Sequence, residues 1–279
     1  MKGRTCLITG ATSGIGRATA TALAGMGASL VLVARDRARG EETAAQIAQQ
    51  TGNRAVTLLF GDLSSQAAVR RVAAEFLASE QPLHVLINNA GVVNLQRSVT
   101  VDGIETTFAV NHLAYFLLTN LLLDRLIGSA PARIVNVSSD AHKFGPLDFD
   151  DLENTRRYRA MRVYGQSKLA NILFTGELAR RLAGSGVTAN SLHPGAVGTG
   201  LGKNNAAWAR VVIAMLRPFF LTPADGAATS IYLASSPAVD GVTGKYFAKQ
   251  REHRSSAAAR DADAARRLWD ISARMTGLA

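Results

Sequence analysis

The 279-residue sequence contains one cysteine, Cys6. A disulfide within the chain is therefore impossible, and a zinc site built on thiolates is excluded. Cys6 stands in an apolar stretch, where a lone thiol reads as a small buried hydrophobe. Charged residues are also scarce, at 19%, against 47% hydrophobic; a mainly disordered chain is excluded. The formal net charge is +10. The basic residues are scattered, with pairs such as Arg70-Arg71 and Arg266-Arg267. No run of five or more like charges appears, so no nucleic-acid partner is indicated. Long apolar runs are missing too. The longest, Val211 to Leu221, is interrupted by Arg217 and Pro218 and is too short to span a bilayer. Residues 1–30 run into a strand and a glycine turn without a signal-peptide pattern, and the expected location is cytoplasmic.

What is present is an alternation. Strand-like runs fall at Thr5–Thr9, Ser29–Ala34, Ala55–Phe60, Val85–Asn88, Arg133–Val137, Thr188–Leu192 and near Lys245–Phe247. They are nearly continuous in Val, Ile and Leu, as strands buried on both faces are. Helical stretches lie between them, at Gly16–Met26, Arg39–Thr51, Ala67–Ser79, Val101–Leu126 and Tyr164–Ala183. This order predicts a single α/β domain over residues 1–279, a doubly wound parallel sheet of about seven strands with helices on both faces. Two segments break the rhythm: an insertion at about 140–163 and a long excursion at about 195–223, which reads as a substrate lid.

The first strand ends in TGATSGIG, residues 9–16, and a helix follows. Gly10 permits a sharp turn, Gly14 a close approach of backbone to ligand, and Gly16 close packing of helix on strand. The helix start offers unpaired N–H groups to a pyrophosphate. The end of the second strand then selects the dinucleotide. An acid there would hold a ribose 2′-OH; a base suits a 2′-phosphate. Ala34 occupies the acidic place and Arg35 follows, with Arg37 and Arg39 nearby. NADP is therefore expected over NAD, with Asp36 the one acid that could reach a hydroxyl instead.

Further motifs follow in order. Asp62 stands in GDLSS, NNAG occupies 88–91, and Asn111 lies in a long helical run. Ser138-Ser139 follow the fifth strand, YGQSK spans 164–168, and HPG at 193–195 precedes Thr199. Over essentially its whole length the chain resembles the short-chain dehydrogenases/reductases. The wording NHLAYFLLTNLLLD, RIVNVSSDAH and SKLANILFTGELARRLAGSGV is similar to the retinol-dehydrogenase-like branch.

Tyr164 and Lys168 are four apart on a helical stretch and share a face. A phenol ordinarily holds its proton to near pH 10, and a neighbouring cation lowers that value. The resemblance makes Tyr164 the general acid/base, Lys168 the group that lowers its pKa and holds the nicotinamide ribose, and Ser139 the hydroxyl that polarises the substrate oxygen. It gives Asn111 a water-holding place in a proton relay. It implies a cofactor site of Gly10, Thr12, Ser13, Gly14, Ile15, Gly16, Arg35, Asp62, Leu63, Asn89, Ala90 and Gly91, joined by Tyr164 and Lys168, with Pro194, Gly195, Val197 and Thr199 at the nicotinamide. His193 reads as a core-edge histidine.

The expected activity is hydride transfer between NADP(H) and a carbonyl or alcohol. The apolar lid, with Trp208, Phe219 and Phe220, points to an apolar, retinal-like or lipid-like substrate. A polyketide-like or steroid-like ketone is the alternative within the enzyme class. A non-catalytic cofactor-binding regulator is the alternative outside it, and the intact Asn111, Ser139, Tyr164 and Lys168 speak against that. Peripheral membrane contact through Lys203, Arg210 and Arg217 and assembly as a dimer or tetramer are open readings.

Overall fold

The computed structural model describes residues 1–195 and 221–279. Eight strands form one sheet: β1 (Thr5–Thr9), β2 (Ser29–Ala34), β3 (Val56–Phe60), β4 (Val85–Asn88), β5 (Ala132–Val137), β6 (Val187–His193), β7 (Tyr246–Ala248) and β8 (Arg251–Glu252). Their order is β3-β2-β1-β4-β5-β6-β7-β8. All neighbours are parallel except the last pair. The direction of winding reverses between β1 and β4, and a crevice opens beyond the strand ends at that point.

The sheet has one strand more than the sequence predicts. β8 is two exposed charged residues paired to β7 by a two-residue turn. Lys249 and Gln250 in that turn have φ of 50° and 60°, as a hairpin turn matching the strand twist needs. Lys-Gln is not a sequence usually chosen for such a turn, and a two-residue charged strand carries no apolar signal.

Among the described residues, the helices of six residues or more are α1 (Gly14–Gly25), α2 (Arg37–Thr51), α3 (Gln66–Ala78), α4 (Ala114–Leu121), α5 (Leu123–Gly128), α6 (Ala160–Arg181), α7 (Pro223–Ser235) and α8 (Ala262–Met275). Alternate strand residues feed opposite cores. Cys6, Ile8, Leu30, Leu32, Val85 and Ile87 pack with Leu23 of α1 and Leu233 of α7. Leu7, Val31, Leu86 and Ile134 pack with Phe76 of α3, Tyr115 and Phe116 of α4, and Phe174 of α6. Trp269 of α8 closes this second core against Phe116 and Phe174, with ring centres 4.9 and 5.8 Å away. Cys6 is fully buried, and burial pushes its thiol up to about 12; it is a packing residue, not a nucleophile.

The helix expected over Val101–Leu126 is shorter and interrupted. Val101 is 86% exposed and belongs to a tight turn closed by the Thr100–Ile104 hydrogen bonds. Helix begins at Thr106, because the buried Glu105 carboxylate accepts from the Thr107 and Phe108 amides. Residues Ala109–Leu113 then form a π turn containing Asn111. Such turns are frequent at functional sites.

A polar ladder crosses the core between β4 and β5. Asn88 and Asn136 are register partners and both fully buried. Asn88 Nδ2 donates to Asn136 Oδ1 and to Thr119 Oγ1, both at 2.9 Å. Asn136 Nδ2 donates to Thr175 Oγ1 at 3.0 Å, and that hydroxyl donates to the Asn171 carbonyl.

Candidate active site

β1 delivers the chain to the crevice at Gly10. Gly10 has φ of 65°, and a Cβ there would lie 2.8 Å from the Ala90 Cα. Gly14 has φ of 53°. A Cβ on Gly16 would lie 2.3 Å from the Gly10 carbonyl oxygen. These three glycines are thus required by the backbone itself. Ser13 makes no side-chain cap on α1, so the first-turn N–H groups remain available to an anion. Asn89 holds the turn in place. Its Nδ2 donates to the carbonyls of Thr9 and Gly10 at 2.9 and 3.2 Å, and Thr9 Oγ1 accepts from the Asn89 and Ala90 amides. The Asn89 amide is thereby committed to the protein, and only the remainder of the residue faces a ligand.

A cleft of about 300 Å³ runs from this turn. Thr12, Ser13, Gly14, Ile15 and Gly16 line one end. Arg35, Asp62 and Leu63 line it at the ends of β2 and β3, and Arg39 joins them. Asp36 is spent elsewhere: it caps α2, accepting from the Arg39 amide at 2.9 Å. Arg37 points away, its guanidinium stacked 4.1 Å over Phe60. Asp62 accepts from Ser64 N and lies 3.8 Å from Arg35. The glycine cradle and the helix start suit a dinucleotide's pyrophosphate.

The other end of the cleft holds Asn89, Ala90, Gly91, Tyr164, Lys168 and Pro194. α6 starts at Ala160, a turn earlier than the sequence predicts, so Tyr164 in its second turn and Lys168 in its third share one face. Burial raises the Tyr164 pKa above its ordinary value, and the neighbouring Ser139 side chain opposes this. Lys168 lies 5.7 Å from the centre of the Tyr164 ring and donates to the Val137 carbonyl at 2.9 Å. Burial pushes the lysine itself down to about 7.

The two serines separate as alternation demands. Ser138 is buried and donates to the Lys168 carbonyl at 2.7 Å. Ser139 begins the 3-10 turn Asp140–Lys143 and accepts from Ala141 N. Asn111 is fully buried, and its side chain is engaged at both ends: Oδ1 accepts from Val92 N, while Nδ2 donates to Val92 O and Ser167 Oγ. His193 accepts from the Asp140 amide, a fixed structural contact. Gly195 follows Pro194 with φ of 89°. Val197, Thr199 and all of the lid except Gly195 and Leu221–Pro223 lie outside the described residues.

Residues 4–210 match the family model for short chain dehydrogenases. The protein belongs to the short-chain dehydrogenase/reductase family. Human retinol dehydrogenase 14 is 47% identical over the whole chain and 88% of its own length. Among solved structures, a Mycobacterium paratuberculosis protein described as putative and uncharacterised is 36% identical with a TM-score of 0.81, covering 99% of this chain and 94% of that one. The Pseudomonas aeruginosa RhlG/NADP active-site complex is 28% identical with a TM-score of 0.71, covering 88% of this chain and 94% of that one. The chain is thus a retinol-dehydrogenase-like oxidoreductase acting on CH–OH groups.

In this short-chain dehydrogenase/reductase some working parts escape the sequence motifs. Tyr115 is one: its buried hydroxyl donates to the Ala90 carbonyl at 2.8 Å and fixes the NNAG turn. It stands four residues after Asn111, a spacing that could have revealed it. Gly145 and Gly165 are another. A Cβ on Gly165 would lie 2.5 Å from the Ala141 carbonyl and 2.9 Å from Gly145 N. Backbone therefore packs on backbone between the Ser139 turn and α6, beside Tyr164. The insertion is also tied down. Arg97 Nε donates to the Glu153 carbonyl, and Tyr158 donates to the Asn94 carbonyl.

Proposed function

We propose that this oxidoreductase transfers a hydride between NADP(H) and the carbonyl–alcohol pair of an apolar, retinoid-like substrate, with Tyr164 as general acid/base. The observation that carries the reading is the placing of Tyr164 and Lys168 together at the end of a cleft that begins at the phosphate turn, with the Ser139 side chain neighbouring the phenol. When bound, the nicotinamide supplies the hydride. Gly10, Gly14 and the start of α1 would hold its pyrophosphate. Arg35 and Arg39 would hold the 2′-phosphate, a reading supported by the commitment of Asp36 to its cap and by the NADP complex among the similar structures.

In the reducing direction Tyr164 gives its hydroxyl proton to the substrate oxygen as negative charge develops there. Ser139 donates a hydrogen bond to the same oxygen and orients it. Lys168, with a pKa of about 7, can both carry and release a proton at neutral pH, and so can restore the proton to the phenolate. Oxidation runs these steps backwards. The apolar substrate class rests on the similarity to retinol dehydrogenase 14.

The test is Tyr164→Phe, assayed with NADPH and a panel of retinaldehydes and aliphatic aldehydes. Turnover should fall by about 10²- to 10⁴-fold, the usual worth of a general acid/base, while NADPH binding read by fluorescence stays intact. Substantial turnover in that variant would refute the mechanism.

A further inference from the structure

His142 lies three residues beyond Ser139 and is 2% exposed. Its backbone N–H donates to the Ser139 carbonyl at 3.1 Å, and its Nδ1 lies 2.8 Å from the same oxygen. Its Nε2 lies 3.2 Å from the backbone amide of Ser256. An amide N–H can only donate, and a carbonyl can only accept. Nε2 is therefore the bare nitrogen and Nδ1 carries the proton. Each ring nitrogen fixes the same tautomer independently. The ring also packs edge-on against the buried Tyr246, at 5.2 Å and 66°. Ser256 stands just before the 3-10 turn Ala258–Arg260, which leads into α8.

We propose that His142 is a positioning residue for hydride transfer: it straps the main chain of Ser139 to Ser256, so that the C-terminal segment helps to aim the Ser139 hydroxyl. This rests on the reading of Ser139 and Tyr164 as the reacting pair. The Ser139 carbonyl is gripped twice by one residue, while its side chain neighbours Tyr164. Loss of the ring contacts frees the peptide plane that carries the hydroxyl. Small misplacements of a reacting group cost up to about 100-fold in rate.

The strap works only with a neutral ring, because an imidazolium has no nitrogen to accept from Ser256. The charged and titratable groups around it are Asp140 and Lys143 from its own turn, His193 from β6 and Tyr246 from β7, with His253 beyond His193. Burial lowers the His142 pKa from its ordinary value, and the bond to the Ser139 carbonyl and then Asp140 oppose this. The strap therefore holds at neutral pH and releases on the acid side.

Two measurements test it. In ¹⁵N-histidine-labelled protein, the His142 ring should show the Nδ1–H tautomer near neutral pH; an Nε2–H tautomer would overturn the proposal. His142→Phe keeps a ring against Tyr246 and removes both strap bonds. It should bind NADPH normally, lower kcat on the order of 10- to 100-fold, and lose the acid limb that His142 gives the kcat profile. His142→Gln, which can still accept from Ser256, should recover part of the loss. A folded His142→Phe enzyme with wild-type kcat would overturn the strap, and if that variant does not fold, the tautomer decides. A wild-type protein that reduces no carbonyl would sink the proposed function instead, and the tautomer would still judge the contact.

Discussion

The Lys168 ammonium sits 5.7 Å from the centre of the Tyr164 ring and gives its hydrogen bond to the Val137 carbonyl, not to the phenol. A backbone carbonyl at the end of β5 thus holds the lysine ready one helical turn from the tyrosine. Burial brings the lysine down to about 7, which suits the proton-carrying part proposed for it.

That value has a consequence for stability. An unfolded lysine keeps its proton to about 10.5, while folded Lys168 releases it near 7. Between those values the unfolded chain binds more protons, so this group makes stability rise with pH across the window and fall as pH drops towards 7. Lys168→Met should flatten the melting temperature between pH 7 and 9 relative to wild type, and should abolish turnover. A variant with the wild-type pH slope would show that another group titrates there.

Arg35→Ala with Arg39→Ala should raise the KM for NADPH by about 10- to 100-fold and leave that for NADH nearly unchanged. The magnitude follows from about 1.5–3 kcal/mol for a hydrogen bond to a charged group. Equal weakening of both cofactors would place the selectivity elsewhere.

Asp36→Ala separates capping from recognition. It removes the cap on α2 and should cost about 0.5–2 kcal/mol of stability in a denaturant titration. The preference between NADPH and NADH should not move. A gain in NADPH preference would show that Asp36 reaches the ribose after all.

Gly165→Ala forces a methyl to within 2.5 Å of the Ala141 carbonyl. Both contacting atoms are backbone, so the Ser139 turn must shift away from α6. The expected loss of stability is about 1–3 kcal/mol, as for overpacked sites, with kcat falling and NADPH affinity kept. Unchanged kcat would mean that the two backbones are free to slide.

The phosphate turn and the Tyr164–Lys168 pair were legible because each is local: glycines in one loop, two side chains one turn apart. The seven apolar strands were legible through their composition. β8 was not, since its turn uses Lys249 and Gln250 and its two residues are charged. The π turn at Asn111 leaves no mark on an apolar helical run. Nor could spacing show that Asn111 and Asn89 spend their side chains on the protein, or that Asp36 is a cap. Those facts depend on which partners the fold brings within 3 Å, and partners distant in sequence have no periodicity to announce them.

The Asn88–Asn136 ladder links the two strands whose ends carry the two halves of the site. β4 runs into Asn89–Gly91 and β5 into Ser138-Ser139. A slip of one residue between them would advance one half against the other by about 3.3 Å. It would also leave two carboxamides facing apolar neighbours in the core, a heavy penalty. The amides therefore serve as an alignment pin: the same bonds that lock the strands during folding set the gauge between cofactor loop and reacting hydroxyl, long before any ligand arrives.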